Sequence, residues 1–257
     1  MLLVTFFASL AAPVALAADG EPPATVVAAP TAAQGTADDP NIDRAFLLPT
    51  AMTQPAGSAT YNNYELLLHG FTYGVTDRVQ ATLTVLAPIV KDMPFFGIVA
   101  GKWQVASLPR LHVAVQGSAG LLQSFTGAGE TATTLGVGAF TSVCLRADCS
   151  SLLSASATYQ LAMASGNAGQ VIIYGGSIVH GVSEHVKLLA EITSATGRGP
   201  ESGDSFTNIP GVLASYGLRL HGNKLASDIG FIRPVGSGDD SAFVLGLPFA
   251  SVSYRWM

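Results

Sequence analysis

Five histidines, His69, His112, His180, His185 and His221, are the residues best suited to acid–base or metal chemistry in this chain. Acyl hydrolysis needs a nucleophile within hydrogen-bond reach of an imidazole, and a third group to orient that imidazole. His112 and Ser118 share one face of RLHVAVQGSAGLLQ. Six residues of extended chain separate them by about 20 Å, too far for proton transfer. His180 and His185 lie close to Glu184 in HGVSEH, a trio that could hold a metal. Polar residues flanking a tight turn are the commoner cause of that pattern. No catalytic residue and no metal site is assigned. GAGETATTLGVGAF carries several glycines but lacks the strand-to-helix context of a phosphate loop, so no cofactor is implied. Cys144 and Cys149 stand in CLRADC. In an exported protein this spacing fits a disulfide across a tight hairpin, with two free thiols as the alternative. No histidine or further cysteine accompanies them in sequence, which argues against a metal.

Charge offers a second constellation. Glu65, Lys102, Lys187, Glu191, Arg219, Asp228 and Arg255 fall on the polar faces of alternating stretches. Lys187 and Glu191 share a face four residues apart, about 13 Å along a strand, so each must find a partner elsewhere. Two interpretations stand: a charged lining that selects solutes, or a structural network filling a narrow lumen.

The elements that must position these residues follow from composition and period. The chain is 49% hydrophobic with a mean hydropathy of +0.41, yet only 11% of its residues are charged. Soluble domains carry about 25% charge. After the N-terminal segment no run of 18 apolar residues exists, so membrane-spanning helices are excluded. A closed β-barrel is then the only way to satisfy a backbone inside lipid. Residues 1–17, MLLVTFFASLAAPVALA, end on an A-x-A pattern and are expected to be a secretory signal, although no Lys or Arg precedes the apolar run. Residues 18–42 are rich in Ala, Pro and Thr and are expected to form a flexible linker. Residues 43–257 are expected to form one domain. The net charge is −5 with no basic block, which gives no footprint for nucleic acid.

Strand alternation recurs along that domain. VQATLTVLAPIV, LLSASATYQLAM, HVKLLAEIT and NKLASDIGFI each set an apolar face against a small or polar one. A soluble β-sandwich alternates as well, but its strands are shorter and its wet face carries more Lys and Glu. Twelve strands are expected, near 44–52, 58–75, 78–90, 95–106, 109–125, 131–145, 150–163, 169–181, 184–196, 208–221, 223–234 and 242–257. Ten or fourteen are the alternatives. The even count puts Thr76-Asp77, SLPR, RADC, VSE and HGNK on the side of the termini. Longer connectors such as TGAGET, ASGNAG, TGRGPESGDSFTNIP and PVGSGDD fall opposite. Pro49 weakens the first strand because it removes a ladder donor. Phe95, Trp103, Phe125, Tyr254 and Trp256 lie toward strand ends, where barrels carry aromatic girdles.

The chain closes on FVLGLPFASVSYRWM, with Val252, Tyr254 and Trp256 on one face. This tail resembles the C-terminal signature of bacterial outer-membrane β-barrel proteins, except that Met257 follows the aromatic. The resemblance implies an exported chain of a Gram-negative outer membrane, recognised by the barrel-assembly machinery through Val252, Tyr254 and Trp256. RAFLLPTAMTQPAGSATYNNYELLLHGFTYGVTD likewise looks like the start of such barrels, which implies no activity. The favoured function is a narrow channel or transporter for small solutes, with membrane lipid as its surroundings. The alternatives are a non-conducting interaction barrel displaying loops such as Gly197 to Phe206, and a barrel enzyme acting on lipid.

Overall fold

A computed structural model describes residues 39–86, 95–123, 131–164, 167–198, 207–235 and 245–256. Twelve antiparallel strands close into one barrel. They are β1 (Ala59–Tyr64), β2 (Leu68–Thr76), β3 (Val79–Leu86), β4 (Phe96–Ser107), β5 (Leu111–Gln123) and β6 (Thr131–Cys144). The second half is β7 (Leu152–Ala164), β8 (Asn167–Gly181), β9 (Val186–Arg198), β10 (Thr207–His221), β11 (Leu225–Val235) and β12 (Leu247–Trp256). Each strand pairs with its neighbours in sequence, and β12 returns to β1 through the register Ala59↔Trp256 to Tyr64↔Ser251. Among the described residues no helix is long and apolar enough to cross a membrane.

The pleat sorts the residues as the alternation requires. Val137, Leu153, Leu188, Ile192, Ile229 and Val252 point outward and are exposed, whereas Lys102, Ser142, Ser154, Ser177, Lys187 and Asp228 point inward and are buried. Val137 is 62% exposed and Arg219 1%, so this barrel is greasy outside and polar within. Tyr61, Phe71, Tyr73, Trp103, Tyr254 and Trp256 gather outside, toward the end that holds the barrel's own termini, Ala59 and Trp256. Phe125 lies outside the described residues.

The strand count matches expectation through two compensating differences. Residues 44–52 are not a strand of the wall. They lie inside the barrel, joined to themselves by a single bridge, Arg44↔Pro49. The expected strand 58–75 is two strands, broken at 65–67. No Gly or Pro marks that break. Asn63 makes it, its side-chain oxygen accepting the Leu66 N–H at 3.1 Å while Glu65 and Leu66 adopt positive φ of 51° and 62°. Glu65 is therefore exposed at a turn and does not line the lumen. Its carboxylate accepts the Ala250 N–H at 2.5 Å and ties the β1–β2 turn to β12.

The five short turns lie on the side of the termini, at 77–78, 108–110, 145–151, 182–185 and 222–224. The other connections lie opposite, and that between β7 and β8 is reduced to 165–166 because β7 ends one residue later and β8 starts two residues earlier than expected. The signal and most of the expected linker, residues 1–38, lie outside the described residues, as do Ile89, TGAGET except Thr131, residues 199–206 and Met257. The linker's last four residues, 39–42, are buried in the lumen rather than solvated.

Candidate functional site

Residues 39–54 form an internal segment that turns back at 45–48 and fills the lumen on the side of the termini. Local bonds shape it: the Ala45 N–H donates to the Leu48 carbonyl at 2.8 Å and the Thr50 N–H to the Asp43 carbonyl at 2.9 Å. A segment with so few internal bonds must satisfy its remaining backbone groups on the wall. The inward polar side chains do this. The amides of Phe46, Leu47 and Leu48 converge on the Glu191 carboxylate at 3.0–3.1 Å, an anion held by successive N–H groups. Lys102 donates to the carbonyls of Asp43 and Thr50 at 3.2 and 3.1 Å. Gln104 donates to the Ala51 carbonyl at 3.0 Å, Ser142 accepts the Ala51 N–H at 2.9 Å, and Gln80 accepts the Gln54 N–H at 3.0 Å.

Ion pairs complete the clamp. Lys187 and Arg219 are directly opposed on β9 and β10, two like charges that would repel if left alone. Asp39 lies between them, 2.6 Å from Lys187 and 3.2 Å from Arg219. Arg219 also grips Asp228 through Nε at 2.7 Å and Nη2 at 3.0 Å, a bidentate pair. Its remaining donors go to the carbonyls of Asn41, Arg44 and Ala45. Arg255 donates to the Asp39 and Asn223 carbonyls at 3.4 and 2.9 Å. Arg44 of the segment returns the contact, 3.7 Å from Asp228 and 4.4 Å over the Tyr64 ring. Apolar groups seat the turn: Phe46 packs on Phe249 at 4.7 Å between ring centres. Inward glycines make the room. A Cβ on Gly230 would stand 2.8 Å from the Phe46 ring, and one on Gly175 2.9 Å from Leu48.

Of the seven charged residues named from sequence, Lys102, Lys187, Glu191, Arg219, Asp228 and Arg255 are buried together around this segment, and Glu65 is not. Sequence reasoning missed the partners Asp39, Asp43 and Arg44. A signal for them existed: four inward cations faced only two inward acids once Glu65 is set aside, so acid had to come from elsewhere.

Cys144 and Cys149 form a disulfide with 4.6 Å between Cα atoms, and Cys149 takes a positive φ of 54° to close the hairpin. In that exposed turn the Ser150 N–H and hydroxyl hold the Asp148 carboxyl below its usual range. The fold brings His112 within 4.8 Å of both sulfurs, an accompaniment invisible in sequence, but sulfurs joined to each other are not thiolate ligands. The serine that meets His112 is Ser107, 3.2 Å from Nδ1, rather than Ser118. No carboxylate orients that imidazole among its hydrogen bonds, and its Nε2 is buried without a partner. His180 contacts Ser151 at 3.2 Å, while His185 stacks edge-on with His221 at 6.5 Å. His180, His185 and Glu184 do not assemble into a ligand set.

No protein-family model and no curated protein matches the chain. Among solved structures, one resembling it is a loop L8 deletion mutant of OmpT, an outer membrane protein of Vibrio cholerae. The identity is 11%, with 74% of this chain and 62% of that chain covered, and the TM-score is 0.47. The chain thus spans less than two thirds of that structure. The NanC porin is similar at 10% identity, 77% and 97% coverage and a TM-score of 0.45. LpxR from Salmonella typhimurium is similar at 8% identity, 78% and 99% coverage and a TM-score of 0.39. The class is defined by the chain's own geometry: an all-β, closed twelve-strand antiparallel barrel. Within that class it is a barrel whose own residues 39–54 occupy the lumen.

Proposed function

We propose that this chain is a bacterial outer-membrane barrel that passes small solutes through a lumen shut at rest by its own residues 39–54. The observation that carries the proposal is the docking of that segment by contacts drawn from around the barrel, from Gln80 on β3 to Arg255 on β12. The exposed apolar exterior supports placement in lipid, where ring closure leaves no edge strand unpaired. The exposed face of Val252, Tyr254 and Trp256 on the closing strand is available to the assembly machinery, in keeping with the tail's resemblance. The hydrogen bonds and ion pairs of the clamp suit a segment that undocks, because water can replace each polar contact, and the apolar cluster around Phe46 and Phe249 opposes that release.

Planar-bilayer conductance of the mature chain tests this. The wild type is expected to be mostly closed. Asp39→Asn, which removes the charge between Lys187 and Arg219, is expected to raise the open fraction several-fold. A cysteine pair at Ala51 and Ser142, oxidised, is expected to hold the lumen shut until reduced. Indistinguishable currents from all three would overturn the proposal and favour the non-conducting interaction barrel, which the density of the clamp would also fit.

A further inference from the structure

Above the turn of the internal segment the lumen changes character. Inward positions follow from the pairing registers, anchored by contacts already given. Leu68, Leu86, Phe96 and Leu122 are successive cross-strand neighbours on β2, β3, β4 and β5, and all four point inward. On the opposite wall the inward positions include Ile173, Leu213, Ile232 and Leu247. Among the described residues no Asp, Glu, Lys or Arg occupies an inward position from Tyr64, Gly175 and Thr193 to the loop end. The floor is Leu47, 43% exposed at the tip of the segment.

Three of these side chains stay open, while Ile232 packs against the cluster below and the others are half-buried. Leu213 is 42% exposed, Leu247 53% and Ile173 37%, although the closed wall turns them away from the exterior. They line a space that solvent enters. From Gly175, beside Leu48, to Gly169 at the top of β8 the wall rises about 20 Å along the strand. One sector differs: Ser118 on β5 and Gln160 on β7 meet at 3.5 Å between Oγ and Nε2, a neutral polar strip beside the apolar wall.

We infer that this upper lumen is a binding site for small, uncharged, largely apolar molecules that enter from the loop end. Three features select that occupant. The continuous ring of strands admits no macromolecule through its side, and the segment closes the floor. An ion would leave its hydration shell for a wall with no countercharge, which is expensive. An apolar solute buries the exposed leucine and isoleucine surface, at about 25 cal/mol per Å². A single hydroxyl or carbonyl on the solute would find the Gln160–Ser118 strip. This names the solute class of the barrel proposed above and rests on that proposal for its purpose, but the binding itself is read with the segment docked.

The mature chain in lipid nanodiscs is titrated calorimetrically with 1-naphthol, and with 1-naphthalenesulfonate as its charged counterpart, each corrected against empty discs. Saturable binding of 1-naphthol is expected, at least tenfold tighter than the sulfonate. Ile173→Asp and Leu213→Asp are expected to weaken 1-naphthol at least tenfold. The outward Ile178→Asn is expected to leave it unchanged, with heat-modifiable gel migration confirming folded barrels. Loss of folding in either Asp variant is answered by Leu247→Ser, which removes apolar surface near the strand end and should weaken binding in the same direction. No saturable heat above empty discs, equal binding of naphthol and sulfonate, or folded Asp variants that bind like wild type would each overturn the inference. Binding without any conductance change in Asp39→Asn would leave this site standing and remove the channel. Opening without binding would do the reverse.

Discussion

The two ends of the lumen are built on opposite principles. On the side of the termini, charged and strongly polar inward side chains bond to residues 39–54, and the buried Leu152, Val179, Leu189 and Phe249 cluster with Ile42, Ala45, Phe46 and Met52. On the loop side, inward side chains are mainly leucine, isoleucine, phenylalanine, threonine and glycine, with the neutral Ser118 and Gln160 as a polar strip, and several face solvent. The same wall serves both, since β8 to β12 each run from one region into the other. The difference teaches that a barrel's inner face need not be uniformly wet. A polar stretch matches the unsatisfied backbone of an irregular segment, and among the described residues no such segment lies against the apolar stretch above Leu47.

Removing a charge from the clamped end should do the most damage. Arg219→Ala takes the bidentate partner from buried Asp228, leaves Asp39 with Lys187 alone, and is expected to cost about 3–5 kcal/mol. The measurement is the midpoint of heat-modifiable migration, together with protease access to residues 39–54. Leu213→Ala at the loop end, by contrast, should shift the same midpoint by less than about 0.5 kcal/mol, because an exposed side chain loses few contacts. Equal effects at both sites would erase the distinction between the two ends.

The next contrast lies across the wall rather than along it. Leu188→Arg places charge on the exterior of β9 and should cost about 2–4 kcal/mol if lipid covers it at mid-depth. Thr193→Arg on the inner face of that strand should be better tolerated in assembly, while impairing 1-naphthol binding. Equal tolerance, scored as folded barrel in the membrane fraction, would contradict the assigned faces.

Smaller effects sharpen the picture. Cys144→Ser with Cys149→Ser should lower stability by about 2 kcal/mol from loop entropy and leave conductance unchanged, since neither cysteine makes a hydrogen bond or ion pair of the clamp. Gln104→Leu removes one donor to the Ala51 carbonyl and should cost about 1 kcal/mol, seen as a modest rise in open fraction. An effect larger than that of Arg219→Ala would show that hydrogen bonds, not ion pairs, dominate the clamp.

Much of this architecture is legible in the residues. Leu188, Ala190 and Ile192 alternating with Lys187, Leu189 and Glu191 declare a two-faced strand, and the tight turns declare which end holds the termini. AFLLPTAM misleads because its apolar residues suit a lipid-facing strand as well as a buried turn, and only Pro49 argues otherwise. YNNYELLL hides a turn because Asn63 makes it with a side chain, without glycine or proline. The candidate site is legible only in half: wall charges announce themselves by parity, but their partners sit from 59 to 216 residues away in sequence, in a stretch whose composition resembles a linker.

What the sequence determined is local: a period of two, an apolar exterior, a polar band at one end of the inner face. These are properties of a strand and its pleat, and they need no knowledge of what lies across the barrel. What only the tertiary structure decided is where residues 39–54 go. An irregular segment carries unsatisfied amides, carbonyls and charges, and its resting place is set by the complementary groups that ring closure brings together from distant strands. Asp39 finds Lys187 and Arg219 because the closed wall places those two cations side by side, and no pattern within either stretch specifies that meeting.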